Sequence, residues 1–152
     1  MNTQPPATED ILTVQPVYKL YKDSHIGIAT FLGGPLIAGY LAAENFKNLG
    51  EKSNATKAWV IAVIATIIIF GSIFLIPGIE HIPRYIIPLA YSTIARLLIQ
   101  KYQGNDIRAH EAAGGQFYNV WRSVAISLIG LALLLAALVA IFYLADTRVV
   151  TE

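Results

Sequence analysis

The uncharged run between Ile26 and Ala43 constrains this chain more than any other feature. The surrounding stretch, residues 24–50, reads SHIGIATFLGGPLIAGYLAAENFKNLG. The uncharged run approaches the roughly 20 apolar residues that a bilayer-spanning helix needs. Small residues recur in it at helical spacing, and in lipid such residues let neighbouring helices approach closely. The stretch therefore predicts a membrane-spanning helix over about 24–49 that packs against other helices.

The middle of this predicted helix contains Gly33, Gly34 and Pro35. Proline lacks the N–H that would bond the carbonyl four residues earlier, so the helix should bend here. We interpret the bend as a packing kink, with Ala38 and Gly39 extending the close-contact surface. The alternative is a discontinuous helix whose freed backbone groups face a solute or an ion. Thr30 is the only polar side chain close to the bend, which favours the kink.

Three further apolar runs follow along the chain. We predict transmembrane helices over about 56–76, 82–101 and 121–146. With the first span they make an all-α polytopic membrane protein of four transmembrane helices, arranged as two antiparallel hairpins in one domain, 24–146. The third run is short and contains Pro88 and Arg96, so an interfacial or re-entrant segment is the alternative there.

The remaining segments are polar. Residues 1–23 are predicted to be a partly disordered N-terminal tail, and 147–152 a short C-terminal tail. Residues 102–120 are predicted to form a polar loop. Within that loop, Asn105-Asp106 resembles a helix start and Gly114-Gly115 a helix stop, which predicts one short separate helix.

The composition supports a membrane protein and excludes several other classes. The chain is 55% hydrophobic and 14% charged, whereas soluble domains average roughly 45–50% apolar and about 25% charged residues. A net charge of +1 provides no basic field for nucleic acid, so no nucleic-acid partner is expected. The lipid bilayer is the expected partner. The absence of cysteine rules out disulfides and thiolate metal sites.

The distribution of lysine and arginine predicts an orientation. With four spans, the loops 50–55 and 102–120 lie on one side and both termini on the other. The first side has Lys47, Lys52, Lys57, Lys101, Arg108 and Arg122. The second has Lys19, Lys22, Arg84 and Arg148. This excess places the two loops in the cytoplasm and both termini outside, because cytoplasmic loops are enriched in basic residues.

Arg96 is the one strong departure from the apolar pattern and is the candidate polar contact within the membrane. A charged group at that depth is costly and tends to have a partner. Glu44 and Asn45, at the end of the first predicted helix, are the candidates. The alternative is that the Arg96 side chain reaches the membrane surface without a partner.

No catalytic, cofactor-binding or metal-binding residues are predicted. Asp106, His110 and Glu111 form the only cluster with metal-ligand chemistry, and a solvated helix surface explains them better because no second ligand motif is present. The sequence contains no nucleophile with a partnered base and no Gly-rich phosphate loop. We therefore expect no enzyme.

The run GGPLIAGYLAAENFKNLG resembles a signature of small bacterial four-helix integral membrane proteins, a functionally uncharacterised family. The matching residues are Gly33, Gly34, Pro35, Leu36, Gly39, Asn45, Leu49 and Gly50. The later segments KYQG (101–104) and HEAAGGQ (110–116) are also similar to that family. The resemblance implies a bacterial inner (cytoplasmic) membrane and four helices, and it implies no activity.

These observations favour a non-enzymatic integral membrane protein that acts through helix packing, as an accessory or assembly subunit or as a homo-oligomer. Its expected partners are lipid and either another membrane protein or further copies of itself. The alternative function is a small-solute carrier or channel formed by an oligomer, with residues 33–35 lining the path.

Overall fold

The computed structural model describes residues 15–75, 78 and 81–149 of the chain. This part contains five helices and two strands of two residues each, so the all-α prediction is confirmed. The helices are α1 (Asp23–Gly33), α2 (Pro35–Asn48), α3 (Lys52–Leu75), α4 (Ile86–Ala112) and α5 (Val120–Val149). The strands are β1 (Lys19–Leu20) and β2 (Gln116–Phe117).

The first apolar run forms two helices, because the chain reverses at Gly34. Gly34 has φ 81° and ψ 179°, a backbone conformation that is essentially restricted to glycine. Its N–H donates to the Thr30 carbonyl over 2.8 Å and thereby ends α1. Pro35 is the first residue of α2, where its fixed φ suits a helix start and its missing N–H costs nothing.

The two helices fold back on each other as a helical hairpin. The Tyr21 backbone nitrogen, just before α1, lies 2.7 Å from the Asn45 Oδ1 atom near the end of α2. In one continuous helix these residues would be about 36 Å apart, at 1.5 Å per residue. The predicted single span over 24–49 is therefore wrong, and the kink interpretation of Gly33 to Pro35 is replaced by a turn between antiparallel helices.

The hairpin occupies the centre of the fold. On one side α2 packs against α3, where Gly39 lies against Ala58 and Ala62. On the other side α1 packs between α4 and α5. The largest buried apolar cluster is formed mainly by the hairpin and by the residues just before it, with two contributions from α4: Leu20, Tyr21, Ile26, Ala29, Ile37, Leu41, Ala42, Ile99 and Ile107.

Two of the described helices, α3 and α5, are long and apolar enough to cross a membrane. The suitable stretches are Lys52–Ser72 and Val120–Ile141, and only 11% and 6% of their most apolar windows are buried inside the protein. At about 16 Å and 21 Å, α1 and α2 are too short to cross a hydrocarbon core of roughly 30 Å. Four transmembrane helices in two hairpins are therefore not confirmed: within the described residues only α3 and α5 are long and apolar enough to span, and the first predicted span is divided into two short helices.

The predicted loop over 102–120 is mostly helical. Helix α4 continues through Asn105 and Asp106 to Ala112, so these residues do not start a separate helix. The predicted stop at Gly114-Gly115 is confirmed, because the Gly115 N–H donates to the His110 carbonyl and closes the helix end.

The N-terminal segment lies at the same end of the molecule as the predicted cytoplasmic loops. Lys22 forms an ion pair with Glu111, with 2.6 Å between Lys22 Nζ and Glu111 Oε1. β1 pairs in parallel with β2, with Lys19 opposite Gln116 and Leu20 opposite Phe117. The prediction that residues before the first helix lie opposite the loops 50–55 and 102–120 is therefore wrong. Most of the predicted N-terminal tail, residues 1–14, lies outside the described residues, as do residues 150–152. The prediction of a C-terminal tail from residue 147 is wrong for residues 147–149, because α5 continues to Val149.

Candidate functional site

Two fully buried amide side chains, Asn45 and Gln103, lie at the base of the helical hairpin. Asn45 is fully buried and pairs with both backbone groups of Tyr21. Its Oδ1 accepts from the Tyr21 N–H at 2.7 Å, and its Nδ2 donates to the Tyr21 carbonyl at 2.9 Å. One side chain thus satisfies a donor and an acceptor that would otherwise be buried without partners.

Gln103 of α4 completes this arrangement. Its Oε1 accepts from Asn45 Nδ2 at 3.1 Å, and its Nε2 donates to the Ala42 carbonyl at 2.8 Å. Gln103 and Tyr21 are also fully buried. We call Tyr21, Asn45 and Gln103 the hairpin clasp, because these residues tie the start of α1, the end of α2 and the middle of α4 together.

A second polar cluster joins α1 to α4 next to the clasp. Asp23 Oδ2 accepts from Arg96 Nε at 3.3 Å and from Gln100 Nε2 at 2.6 Å. Burial raises the pKa of the Asp23 carboxyl, but the bonds from Gln100 and Arg96 outweigh this effect, and the pKa lies below its usual value. The Asp23–Arg96 pair is partly exposed, so solvent screening limits its contribution to stability.

Arg96 therefore has a partner in the first helical segment, although not the predicted one. Helix α1 runs antiparallel to α4, so the start of α1 lies beside Arg96. The end of α2 contacts α4 about two turns further on, where Asn45 bonds to Gln103. Glu44 instead lies 3.9 Å from Lys47 of its own helix, and Asn45 belongs to the clasp. The predicted contacts of Glu44 and Asn45 with Arg96 are wrong, for the same reason that the single span is wrong.

His110 holds the N-terminal segment against the end of α4. Its Nε2 lies 2.9 Å from the Gln116 carbonyl oxygen, so this nitrogen carries the ring proton. The ring stacks on Tyr18 and meets Phe117 edge-on, with centroid distances of 5.0 Å and 5.2 Å. A Cβ at position 115 would collide with the imidazole, which explains the glycine there.

The tip of the hairpin is buried against α5. A Cβ on Gly33 would lie 3.0 Å from the Ser127 carbonyl oxygen, and the Ser127 hydroxyl donates to the Ala29 carbonyl at 2.9 Å. The Phe31 carbonyl, which Pro35 cannot bond, accepts from the Tyr91 hydroxyl at 3.3 Å. Ala38 is half-buried in α2 and packs against the main core. The carbonyl that Pro35 leaves free thus has a partner within the protein.

Hydrogen bonds within the protein hold the hairpin base together. Its amides and carbonyls are bonded to one another, and the Asp23 carboxylate is bonded to α4. Burial raises the pKa of the Tyr21 phenol, and the nearby Arg122 guanidinium opposes this shift. In the described ranges, no group of three or more His, Cys, Asp or Glu side chains could hold a metal ion. Glu111 faces Lys22, and His110 faces Gln116.

Comparison of the chain with protein-family models, with curated proteins and with solved structures found no match.

The sequence interpretation missed Tyr21, Asp23, Gln100 and Gln103 as members of the hairpin base. Gln103 lies in the segment 101–104, and His110 and Gln116 bound the segment 110–116; both segments carry the resemblance described above. A signal for part of the base was therefore present in the sequence. The sequence alone did not reveal that Gln103 contacts Asn45, because the two residues are 58 positions apart in the chain.

Proposed function

We propose that the chain is an integral membrane protein with three crossings and one re-entrant helical hairpin. In this proposal α3, α4 and α5 cross the bilayer, and α1 and α2 enter it and return to the same side. The observation that carries the proposal is the exposure of the apolar surfaces of α3 and α5, which are suited to span a membrane but are hardly buried. In water such surfaces would drive aggregation, whereas lipid solvates them.

The positions of exposed aromatic residues support this placement. Trp121 and Tyr143 are 73% and 69% exposed near the two ends of the apolar part of α5, about 33 Å apart along the helix. Tyr85 and Tyr102, each 63% exposed, are about 26 Å apart along α4. Tyrosine and tryptophan are enriched where membrane helices meet the headgroups, and both separations are close to the thickness of the hydrocarbon core.

The helical hairpin also increases the difference in positive charge between the two ends of the molecule, which is the basis for assigning the orientation. Because Lys19 and Lys22 lie at the end that contains both predicted cytoplasmic loops, most of the positive charge is gathered there. That end has Lys19, Lys22, Lys47, Lys52, Lys57, Arg96, Lys101, Arg108 and Arg122, which are nine of the eleven basic residues. The other end has Arg84 and Arg148. We therefore place the hairpin base in the cytoplasm, with residues 81–85 and the end of α5 outside.

Within the membrane, we propose that the protein acts through helix contacts and not through catalysis, as an accessory or assembly subunit or as a homo-oligomer. The hydrogen bonds of the base amides and the packing of the hairpin tip against α5 support this role. A solute path lined by residues 33–35 has less support, because the tip is packed against α5. The resemblance to small bacterial membrane proteins fits a bacterial inner membrane and remains part of the proposal.

The topology can be tested with single cysteines, since the chain has none of its own. Lys19→Cys and Asn54→Cys should resist an impermeant thiol reagent added to intact cells, and Arg84→Cys should react. Permeabilised cells provide the control, in which all three variants should react. If Lys19→Cys reacts in intact cells together with Arg84→Cys, the first segment crosses the membrane and the re-entrant hairpin is wrong.

The helix-contact role needs a separate test in the membrane. Ala136 lies on the exposed surface of α5, so Ala136→Cys should be cross-linked by a bifunctional thiol reagent to a second copy or to a partner protein in native membranes. Asn54→Cys, which lies at the cytoplasmic end of α3, reports cross-links that arise from random collision. A protein that stays monomeric with both variants, and after mild solubilisation, would contradict this role.

A further inference from the structure

The outward face of α3 combines a basic end with an apolar stripe. Ser53, Thr56, Lys57, Val60 and Ile61 line a shallow hollow on this face. The opposite face of α3 packs against α2 through Ala55, Ala58 and Ala62. The hollow therefore faces away from the rest of the protein and towards whatever surrounds α3.

The two lysines at this end of α3, Lys52 and Lys57, form no direct ion pair with a carboxylate among the described residues. Both side chains are exposed. Lys57 Nζ lies 3.3 Å from the Asn54 Oδ1 atom, which is neutral. The nearby Glu51 carboxylate accepts from Asn54 Nδ2 at 2.6 Å. Two cations are thus available at the level where α3 enters the proposed membrane.

Apolar side chains continue directly below these cations. Val60, Ile61 and Ile64 are 51%, 59% and 51% exposed, and they follow Lys57 on the same face within two helical turns, about 10 Å. Lysine side chains extend along apolar surface and keep the ammonium group in the headgroup region. The face therefore offers cations at headgroup height and a groove for hydrocarbon below.

We propose that this face of α3 binds an anionic phospholipid, with the headgroup phosphate held by Lys52 and Lys57 and an acyl chain along Val60, Ile61 and Ile64. The hydroxyl of Ser53 lies at the same level and adds a donor for the phosphate. A net negative lipid fits better than a zwitterionic one, because it offers an ion-pair partner to two lysines that have none among the described residues, without bringing a further positive charge. This inference rests on the proposed membrane insertion.

The test measures lipid binding to the purified full-length protein by native mass spectrometry. Phosphatidylglycerol and phosphatidylcholine with the same acyl chains are titrated separately. The wild type should bind phosphatidylglycerol more tightly. In Lys52→Gln/Lys57→Gln this affinity should fall by roughly thirtyfold, since each lysine near an anionic surface contributes about fivefold. Phosphatidylcholine binding should change little.

The control is Lys47→Gln/Lys101→Gln, which removes two lysines from the same end of the molecule but from other helices. Its phosphatidylglycerol affinity should stay within a few fold of wild type. Equal binding of the two lipids by the wild type would overturn the inference, and so would an equal loss in the two double variants. Extraction of the protein from membranes by alkaline carbonate would instead contradict the proposed insertion itself.

Discussion

Replacing Asn45 by alanine should destabilise the protein more than any substitution of an exposed polar residue. Asn45 makes three hydrogen bonds, two to the Tyr21 backbone and one to Gln103. Alanine removes all three bonds and cannot replace them. The Tyr21 N–H, the Tyr21 carbonyl and the Gln103 Oε1 atom would then stay buried without these partners, because neither Tyr21 nor Gln103 has any exposed surface.

The size of the effect follows from the cost of an unsatisfied buried group, which is about 1–3 kcal/mol each. Three such groups would give about 3–9 kcal/mol if they were independent. They share one site and can relax together, or admit water, so we expect about 3–5 kcal/mol. Asn48 provides a matched control, since its Nδ2 donates one exposed bond to the Lys19 carbonyl at 2.9 Å. Asn48→Ala should cost about 1 kcal/mol or less.

The assay is reversible unfolding of the purified protein in detergent micelles, monitored by tryptophan fluorescence and by helical circular dichroism. Both variants are compared with wild type at the same detergent concentration. A second readout is the reaction of a cysteine at Leu20, which is fully buried in the folded protein, with a thiol reagent; this reaction should accelerate in Asn45→Ala when β1 detaches. If Asn45→Ala loses no more stability than Asn48→Ala, the hairpin clasp does not hold the hairpin closed.

Two further predictions concern helix packing and acid stability. Gly39→Ala should destabilise by about 1–3 kcal/mol, because its Cβ would overlap with Ala62. The control is Gly71→Ala, because Gly71 lies in open space on α3; it should be neutral or stabilising by up to about 1 kcal/mol in the same unfolding assay. If both variants lose the same stability, the close contact of Gly39 with Ala62 is contradicted. The pKa of Asp23 is lowered in the folded protein. The ionised carboxylate therefore stabilises the fold at pH values above the unfolded pKa of about 3.9, and this stabilisation is lost as pH falls through the lower folded pKa. Asp23→Asn should therefore remove part of the stability loss in acid, and parallel acid titrations of variant and wild type would argue against this role.

The helices themselves could be predicted from the pattern of apolar residues. The predicted spans 56–76 and 121–146 overlap α3 and α5, and 82–101 falls largely within α4. These runs are long, and a long apolar run bounded by Gly, Pro or polar residues has few other structures available. The error over 102–112 has a local cause. Asn105-Asp106 resembles a helix start, but in the structure it lies in the middle of α4, where Asn105 accepts a bond from Arg108.

The helical hairpin could not be predicted in this way, because a kinked helix and a hairpin use the same residues at 33–35. The two structures differ in the backbone angles of Gly34, a residue that can adopt either. What decides between them lies far along the chain. Asn45 closes the hairpin on Tyr21, Ser127 supports its tip, and Gln103 joins its base. Each of these polar residues is unremarkable in its own segment, and only the contacts between segments reveal its role.

The consequences of the turn at Gly34 reach beyond the hairpin itself. In a continuous helix Lys19 and Lys22 would lie opposite the basic loops, and the charge difference between the two sides would be small. In the hairpin these lysines lie beside α4, where Lys22 meets Glu111, and the difference becomes large. The proposed re-entrant arrangement and the proposed orientation therefore support each other, because a chain that crossed at α1 would have to place both lysines on the outer side. A test of where Lys19 lies is thus also a test of the turn at Gly34.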